Sequence, residues 1–185
     1  MAKTPKAQRT RLRLLETAAE ILADEGPLAV TLDRVAEKAK ISKGGLLYHF
    51  KTKRSLLESL VDEAGRRFTQ MMVDAMSKDP EPHGRIARAY IQASFETLEQ
   101  NNKITMGIIG IALIEPELMA PLRASYVQWQ QMLEADGLSP AKATTLRFII
   151  DGLWGAQTFD LAPAPPHVLE DIHRDCLAMT LPPEG

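Results

Sequence analysis

Apolar residues in this chain recur at threes and fours and nowhere alternate with polar ones over the length of a strand. That pattern restricts it to helices. Leu12, Leu15, Ala19 and Leu22 form one stripe, on a first helix from about Lys6 to Glu25 that Gly26-Pro27 ends. Thr31 then caps a short helix carrying Val35, Ala36 and Ala39. Lys40-Ile41-Ser42 is a three-residue turn, and a second short helix spans about Lys43 to Phe50. Thr52 caps a long helix with Leu56, Leu57, Leu60, Ala64, Phe68, Met72 and Met76 on one side, and Asp79-Pro80-Glu81-Pro82 breaks the pattern after it. Further helices are expected over about 83–101, 104–114 and 117–135. Ser139-Pro140 opens another, reaching about residue 160, and a last one over about 167–180 follows the proline-rich 162–166. The fold class is all-α, with about nine helices.

Charge divides the chain unevenly. Residues 1–55 hold 12 Lys+Arg against 6 Asp+Glu, a net +6, and the other 130 hold 10 against 18, a net −8. A basic head on an acidic body points to a polyanionic partner for the head alone. One cysteine, Cys176, allows no internal disulfide and suits a reducing compartment. The first residues carry charges but no unbroken apolar run, so neither a signal peptide nor a membrane span is expected. A cytoplasmic protein without a membrane partner is the reading.

The two short helices and their turn, packed on the first helix, make a helix-turn-helix unit. Ala36 is small where the pair crosses, and Leu32, Val35, Ile41, Leu46 and Phe50 can fill the shared core. Leu46 and Phe50 are four apart and share the buried face, which leaves Lys43, Gly44, Leu47 and Tyr48 outward, toward a major groove. Ser42 and the free N–H groups behind it suit a phosphate oxygen. Lys43 can reach a guanine edge or a phosphate. Tyr48 and His49 can bond backbone oxygens, and Thr31 and Lys53 stand at helix starts where phosphates could sit. Gly44-Gly45 gives the backbone room to approach DNA closely.

The stretches "LLETAAEILADEG", "TLDRVAEKAKISKGGLLYHF" and "KTKRSLLESL", over residues 10–60, resemble the DNA-binding domain of the TetR family of bacterial transcriptional repressors. The resemblance implies a homodimer on a palindromic double-stranded operator, with a small-molecule pocket in a C-terminal helical domain. It divides the chain into a DNA-binding domain over 1–55 and a ligand-binding and dimerisation domain over 56–185. Three positions depart from the family pattern. Lys40 stands in the turn where glycine is common, Gly45 where threonine is common, and Leu47 where tyrosine is common. Leu47 either touches a thymine methyl or packs half-buried.

In the second region Phe95, Met106, Ile109, Leu113, Met119, Tyr126, Trp129 and Phe148 are candidate walls for a small apolar or aromatic effector. Gln92, Glu115, Gln128 and Asp151 are possible polar anchors. Gly107 and Gly110 leave room for a ligand or a helix shift, or else for close helix packing. The helix holding "TLRFIIDGLWGAQTFDL" is apolar on two sides, Leu146, Ile149, Ile150 and Leu153 on one, Phe148, Gly152, Gly155 and Phe159 on another. With Leu169, Ile172 and Cys176 of the last helix, the second side is the candidate dimer interface. The four histidines are scattered and no phosphate-cradling loop is present, so no catalytic residue, metal site or cofactor is expected. A ligand-released repressor is the leading reading, with the long helix after Thr52 carrying the change between regions. A DNA-bound protein acting through protein partners is the alternative.

Overall fold

The computed structural model of the chain describes residues 5–100, 107–108, 110–111 and 115–182. Every regular element among the described residues is helical. In chain order these are α1 (Pro5–Glu25), α2 (Leu32–Lys38), α3 (Lys43–His49), α4 (Lys53–Met76), α5 (Arg85–Gln100), a 3-10 turn (Pro116–Met119), α6 (Ala120–Glu134), α7 (Pro140–Thr158) and α8 (Pro166–Ala178). The helix expected over 104–114 lies mostly outside the described residues, but Gly107, Ile108, Gly110 and Ile111 are helical. The chain forms two compact units, Met1–Gly65 with Lys103–Leu122, and Arg66–Asn102 with Arg123–Gly185.

The first unit is built on aliphatic burial. Leu14, Ala18, Ile21, Val35, Leu46, Leu56 and Val61 are fully buried in one cluster with Phe50 and Ile111. Each large side chain there stabilises the unit by about 1.5–3 kcal/mol. The α1 stripe is rotated from the one expected. Leu12 is 38% exposed and Ala19 half-buried, because the helix turns the adjacent row of Leu14, Ala18 and Ile21 inward while keeping Leu15 and Leu22 at its edge. Gly107 and Gly110 serve close packing. A Cβ on Gly107 would stand 2.3 Å from Cγ of Leu22, and one on Gly110 would meet Pro27 at 3.0 Å. These two positions pack on the end of α1 and the turn after it.

Capping follows the sequence closely. Thr31, Ser42 and Ser139 each accept a hydrogen bond from a backbone N–H three residues on. Thr52 and Ser55 exchange side-chain bonds with each other's N–H groups at 3.2 and 3.0 Å, a reciprocal cap for α4. In the second unit the cap of α5 comes from far away. The buried carboxylate of Asp136 accepts from the N–H groups of Ile86 (2.9 Å) and Ala87 (2.7 Å), an arrangement no local sequence signal announces. Around it, α7 buries Leu146, Ile150 and Leu153, while α8 places Phe95 of α5 against its His173 at 4.6 Å.

Candidate functional site

The turn between α2 and α3 is closed by two backbone bonds. The N–H of Ile41 bonds the carbonyl of Ala36, and that of Lys40 bonds Glu37, each at 3.0 Å. This crossed pair is the Schellman arrangement, which requires a left-handed residue between the helix end and the bonded N–H. Lys40 supplies it, with φ of +53°, where glycine would do so without strain. From α1 the guanidinium of Arg13 bonds the carbonyl of Ala39, and that of Arg11 lies over the Phe50 ring at 5.3 Å. The turn and the far end of α3 are both held by the same helix.

With the turn closed, α3 presents a defined face. Leu46 and Phe50 are buried, while Tyr48 is 73% exposed and Leu47 37% exposed. Leu47 therefore holds part of its side chain out of the core, where a base could touch it. His49 is half-buried, with its ring edge-on to Tyr48 at 5.0 Å. Ser42 accepts from Gly45 N–H at 3.1 Å and Thr31 from Arg34 N–H at 3.2 Å, which leaves each hydroxyl proton able to donate to a phosphate. The two glycines differ. A Cβ at Gly44 would meet open space, whereas one at Gly45 would press on Ile41 at 3.0 Å and the Ser42 hydroxyl at 3.2 Å. Gly44 thus leaves open space beside the backbone, and Gly45 makes room for the helix's own cap.

The cations are less available than their spacing suggests. Lys43 reaches Asp33 of α2 at 2.8 Å, both side chains being exposed. Lys53 bonds the Pro27 carbonyl at 3.3 Å, tying the start of α4 to the turn after α1. An exposed pair such as Lys43–Asp33 is worth about 0–1 kcal/mol, so a phosphate or guanine edge can displace the carboxylate at little cost.

In the second unit the structure gathers some of the candidate effector residues and disperses others. Trp129 is buried, with Phe68 at 4.6 Å, Tyr126 at 5.0 Å and Tyr90 at 6.4 Å between ring centroids. Its indole N–H donates to Thr69 at 2.9 Å. The Tyr126 hydroxyl donates to Asp151 at 3.2 Å, and Arg147 bonds the same carboxylate at 2.8 Å. Burial pushes the Asp151 carboxyl above its ordinary range against the opposing pull of Arg147, and burial also raises the phenols of Tyr90 and Tyr126. Arg147 further stacks on Phe148, 4.6 Å from its ring. Phe95 lies against His173, and Met119 packs on the core of the first unit. Met106, Ile109 and Leu113 lie outside the described residues. Of the polar anchors, Asp151 joins the rings, Glu115 faces Arg54 in the first unit at 3.4 Å, and Gln92 and Gln128 are exposed. The sequence reading missed Phe68, Tyr90 and Arg147 as site residues. The i, i+4 pair Arg147–Asp151 was the available signal for the last of these.

The expected dimer residues separate by exposure. Phe148 is 60% and Phe159 47% exposed, Gly152 is exposed, and a Cβ at Gly152 or Gly155 would meet open space. Leu169 and Ile172 are half-buried. Cys176 is buried within the single chain, so it supports this helix from inside and does not lie on a surface a partner could touch. Burial also pushes its thiol up, away from reactivity. Among the described residues no helix is long and apolar enough to cross a membrane, and no His/Cys/Asp/Glu group could hold a metal ion.

Known proteins share this organisation. A family model for bacterial regulatory proteins of the tetR family matches residues 14–60, and one for a tetracyclin repressor-like C-terminal domain matches residues 84–181. The chain is 24% identical to the HTH-type transcriptional regulator AcrR of Shigella flexneri, over 87% of each chain. It is 29% identical to the HTH-type transcriptional repressor Rv3405c of Mycobacterium tuberculosis over 84 residues, spanning 42% of this chain and only 45% of that protein. Its fold matches a transcriptional regulator from Pseudomonas aeruginosa PAO1 with a TM-score of 0.75 at 18% identity, over 92% of this chain and 89% of that one. It also matches the multidrug binding protein EbrR in complex with ethidium, with a TM-score of 0.68 at 18% identity over 94% and 99% of the two chains.

Proposed function

The chain belongs to the TetR family of bacterial transcriptional regulators, and on that premise we propose that it is a homodimeric repressor released from a palindromic operator by a small aromatic effector. The observation that carries the DNA-binding part is the face of α3. A capped helix of seven residues buries Leu46, ends on buried Phe50 and leaves Lys43, Gly44, Leu47 and Tyr48 outward, with Thr31, Ser42, His49 and Lys53 around it. A major groove admits such a helix, and two copies one helical turn apart would read a palindrome.

The dimer reading rests on α7. Its Leu146, Ile150 and Leu153 stripe is buried at home, while Phe148 and Phe159 of its other side remain exposed. A second copy laid on that side would remove both rings from water. The effector reading rests on Phe68, Tyr90, Tyr126 and Trp129 gathered beside Asp151. Planar ligands stack on such rings, and the carboxylate gives one polar group to orient them. EbrR, whose fold this chain shares, is a protein solved with ethidium and with malachite green.

Release would be a population shift. An effector binding better to a form whose α3 helices no longer fit successive grooves lowers operator affinity by its preference for that form. A thermal-shift screen of planar aromatic compounds tests this. The expected hit raises the melting temperature and weakens operator binding, and Trp129→Ala abolishes both effects. A ligand that stabilises without touching operator affinity would refute release, and silence across the library would favour regulation through a protein partner.

A further inference from the structure

The cations of the first unit fall into two sets. Those on α2, α3 and the start of α4 are engaged. Lys43 is paired with Asp33, Arg34 with Glu25 at 3.2 Å and Glu37 at 3.8 Å, and Lys38 with Glu20 at 3.4 Å. Arg54 meets Glu58, Glu115 and Glu117, and Lys53 the Pro27 carbonyl. The side chains of Lys6, Arg9, Lys40 and Lys51 hold no ion pair or hydrogen bond among the described residues, and all four are exposed.

Two contacts tie together the segments that carry these four. Arg13 bonds the carbonyl of Ala39, the neighbour of Lys40, and Arg11 lies over Phe50, the neighbour of Lys51. The start of α1 is thereby fixed beside the turn that leads into α3 and the residue that closes it. The first described residue of α1 to be buried is Leu14. Residues 5–13 therefore form more than two turns that carry Lys6 and Arg9, bury no side chain in the core and contain no acid. Helix that buries nothing gains little from packing, so its use lies in what it carries.

The reading face itself is poor in charge. Lys43 is the one lysine or arginine in the α3 sequence KGGLLYH, and Asp33 competes for it. Phosphate contacts nevertheless supply most of the affinity for duplex DNA, so that charge must come from beside the helix. A helix lying in a major groove is bordered by a phosphate strand on each side. Lys40 and Lys51 stand just before and just after α3 in the chain, and Lys6 and Arg9 belong to the helix tied to both ends of it. We infer that Lys6, Arg9, Lys40 and Lys51 form a second DNA contact, to phosphates alone, that holds the duplex while α3 reads it. This rests on the DNA-binding reading above. Phosphates present the same oxygens at every base step, so a patch that reaches phosphates alone is blind to sequence.

Salt dependence of binding by the full chain separates the two roles. The Lys6→Gln/Arg9→Gln double variant should lower the slope of log affinity against log salt by about 1.8 on a random-sequence duplex, the amount two lost phosphate contacts remove. Its affinity should fall by the same factor on random duplex and on duplexes selected by the wild type, with base preference unchanged. Its melting temperature should match the wild type, since among the described residues neither exposed side chain holds a hydrogen bond or ion pair. A double variant with the wild-type slope, or with an altered base preference, would overturn the inference. Absence of any salt-dependent duplex binding by the wild type would overturn the DNA-binding reading beneath it.

Discussion

The two units solve opposite problems. The first packs Leu, Ile, Val and Ala around Phe50, buries two polar side chains among its described residues, Thr17 and Glu63, and puts its lysines and ion pairs on the outside. The second carries polar chemistry inward. Asp136, Ser94, Thr158 and Thr180 are buried in it, and Asp151 and Arg147 sit half-buried beside four aromatic rings. A surface that must match a long polyanion gains from a rigid base with outward charge. A site for a small aromatic molecule gains from rings and one oriented carboxylate held out of water. On the proposed function, the comparison would teach that partner size is written in where each unit keeps its polar groups.

Leu46→Ala applies the largest stress to this difference. It opens a cavity at a fully buried position of the first unit and should cost about 2–5 kcal/mol, with loss of DNA binding. Both tryptophans, Trp129 and Trp154, lie in the second unit, so their fluorescence reports that unit alone. Circular dichroism should show an earlier melt while the fluorescence transition moves less. Equal movement of both would mean that the two units unfold as one and that their cores are not independent.

A smaller effect of opposite sign is expected in the turn. Lys40→Gly relieves a left-handed lysine and should stabilise the first unit by about 1 kcal/mol, read as a rise in the urea midpoint by circular dichroism. It should weaken binding to every duplex alike. A fall in stability would show that the Lys40 side chain contributes more than its backbone strain costs.

The smallest effect concerns pH in the second unit. Burial raises the folded carboxyl of Asp151 above its unfolded value, so protonation favours the fold. Its contribution is full below the unfolded value near 4 and is lost as pH rises through the raised one. On acidification from pH 7, the wild-type tryptophan melting midpoint should therefore gain on that of Asp151→Asn. A constant difference between the two proteins would show that Asp151 stays charged at no cost and is no buried anchor.

Legibility followed a different division, local contacts against distant ones. Thr31, Ser42, Thr52 and Ser139 could be read as caps because a cap needs only its own next three residues. The turn was readable for the same reason, down to the lysine in place of glycine. What escaped was set by contacts between distant segments. Asp136 caps a helix some fifty residues earlier, Phe68 and Tyr90 meet Trp129 from other helices, and Gly107 yields to Leu22. Spacing could name these residues as apolar or polar but could not say which would touch. Gly45 illustrates the limit within the motif itself. Its sequence position suggested a gap for DNA, and the structure fills that gap with the Ser42 cap.

Selection of bound duplexes from a random pool by the full chain tests the central claim most directly. The account predicts a palindrome with half-site centres about 34–36 Å apart, and a changed preference at one position in each half-site for Leu47→Ala or Lys43→Ala. A pool that stays random after repeated selection, at salt where the protein still binds DNA, would contradict a reading role for α3.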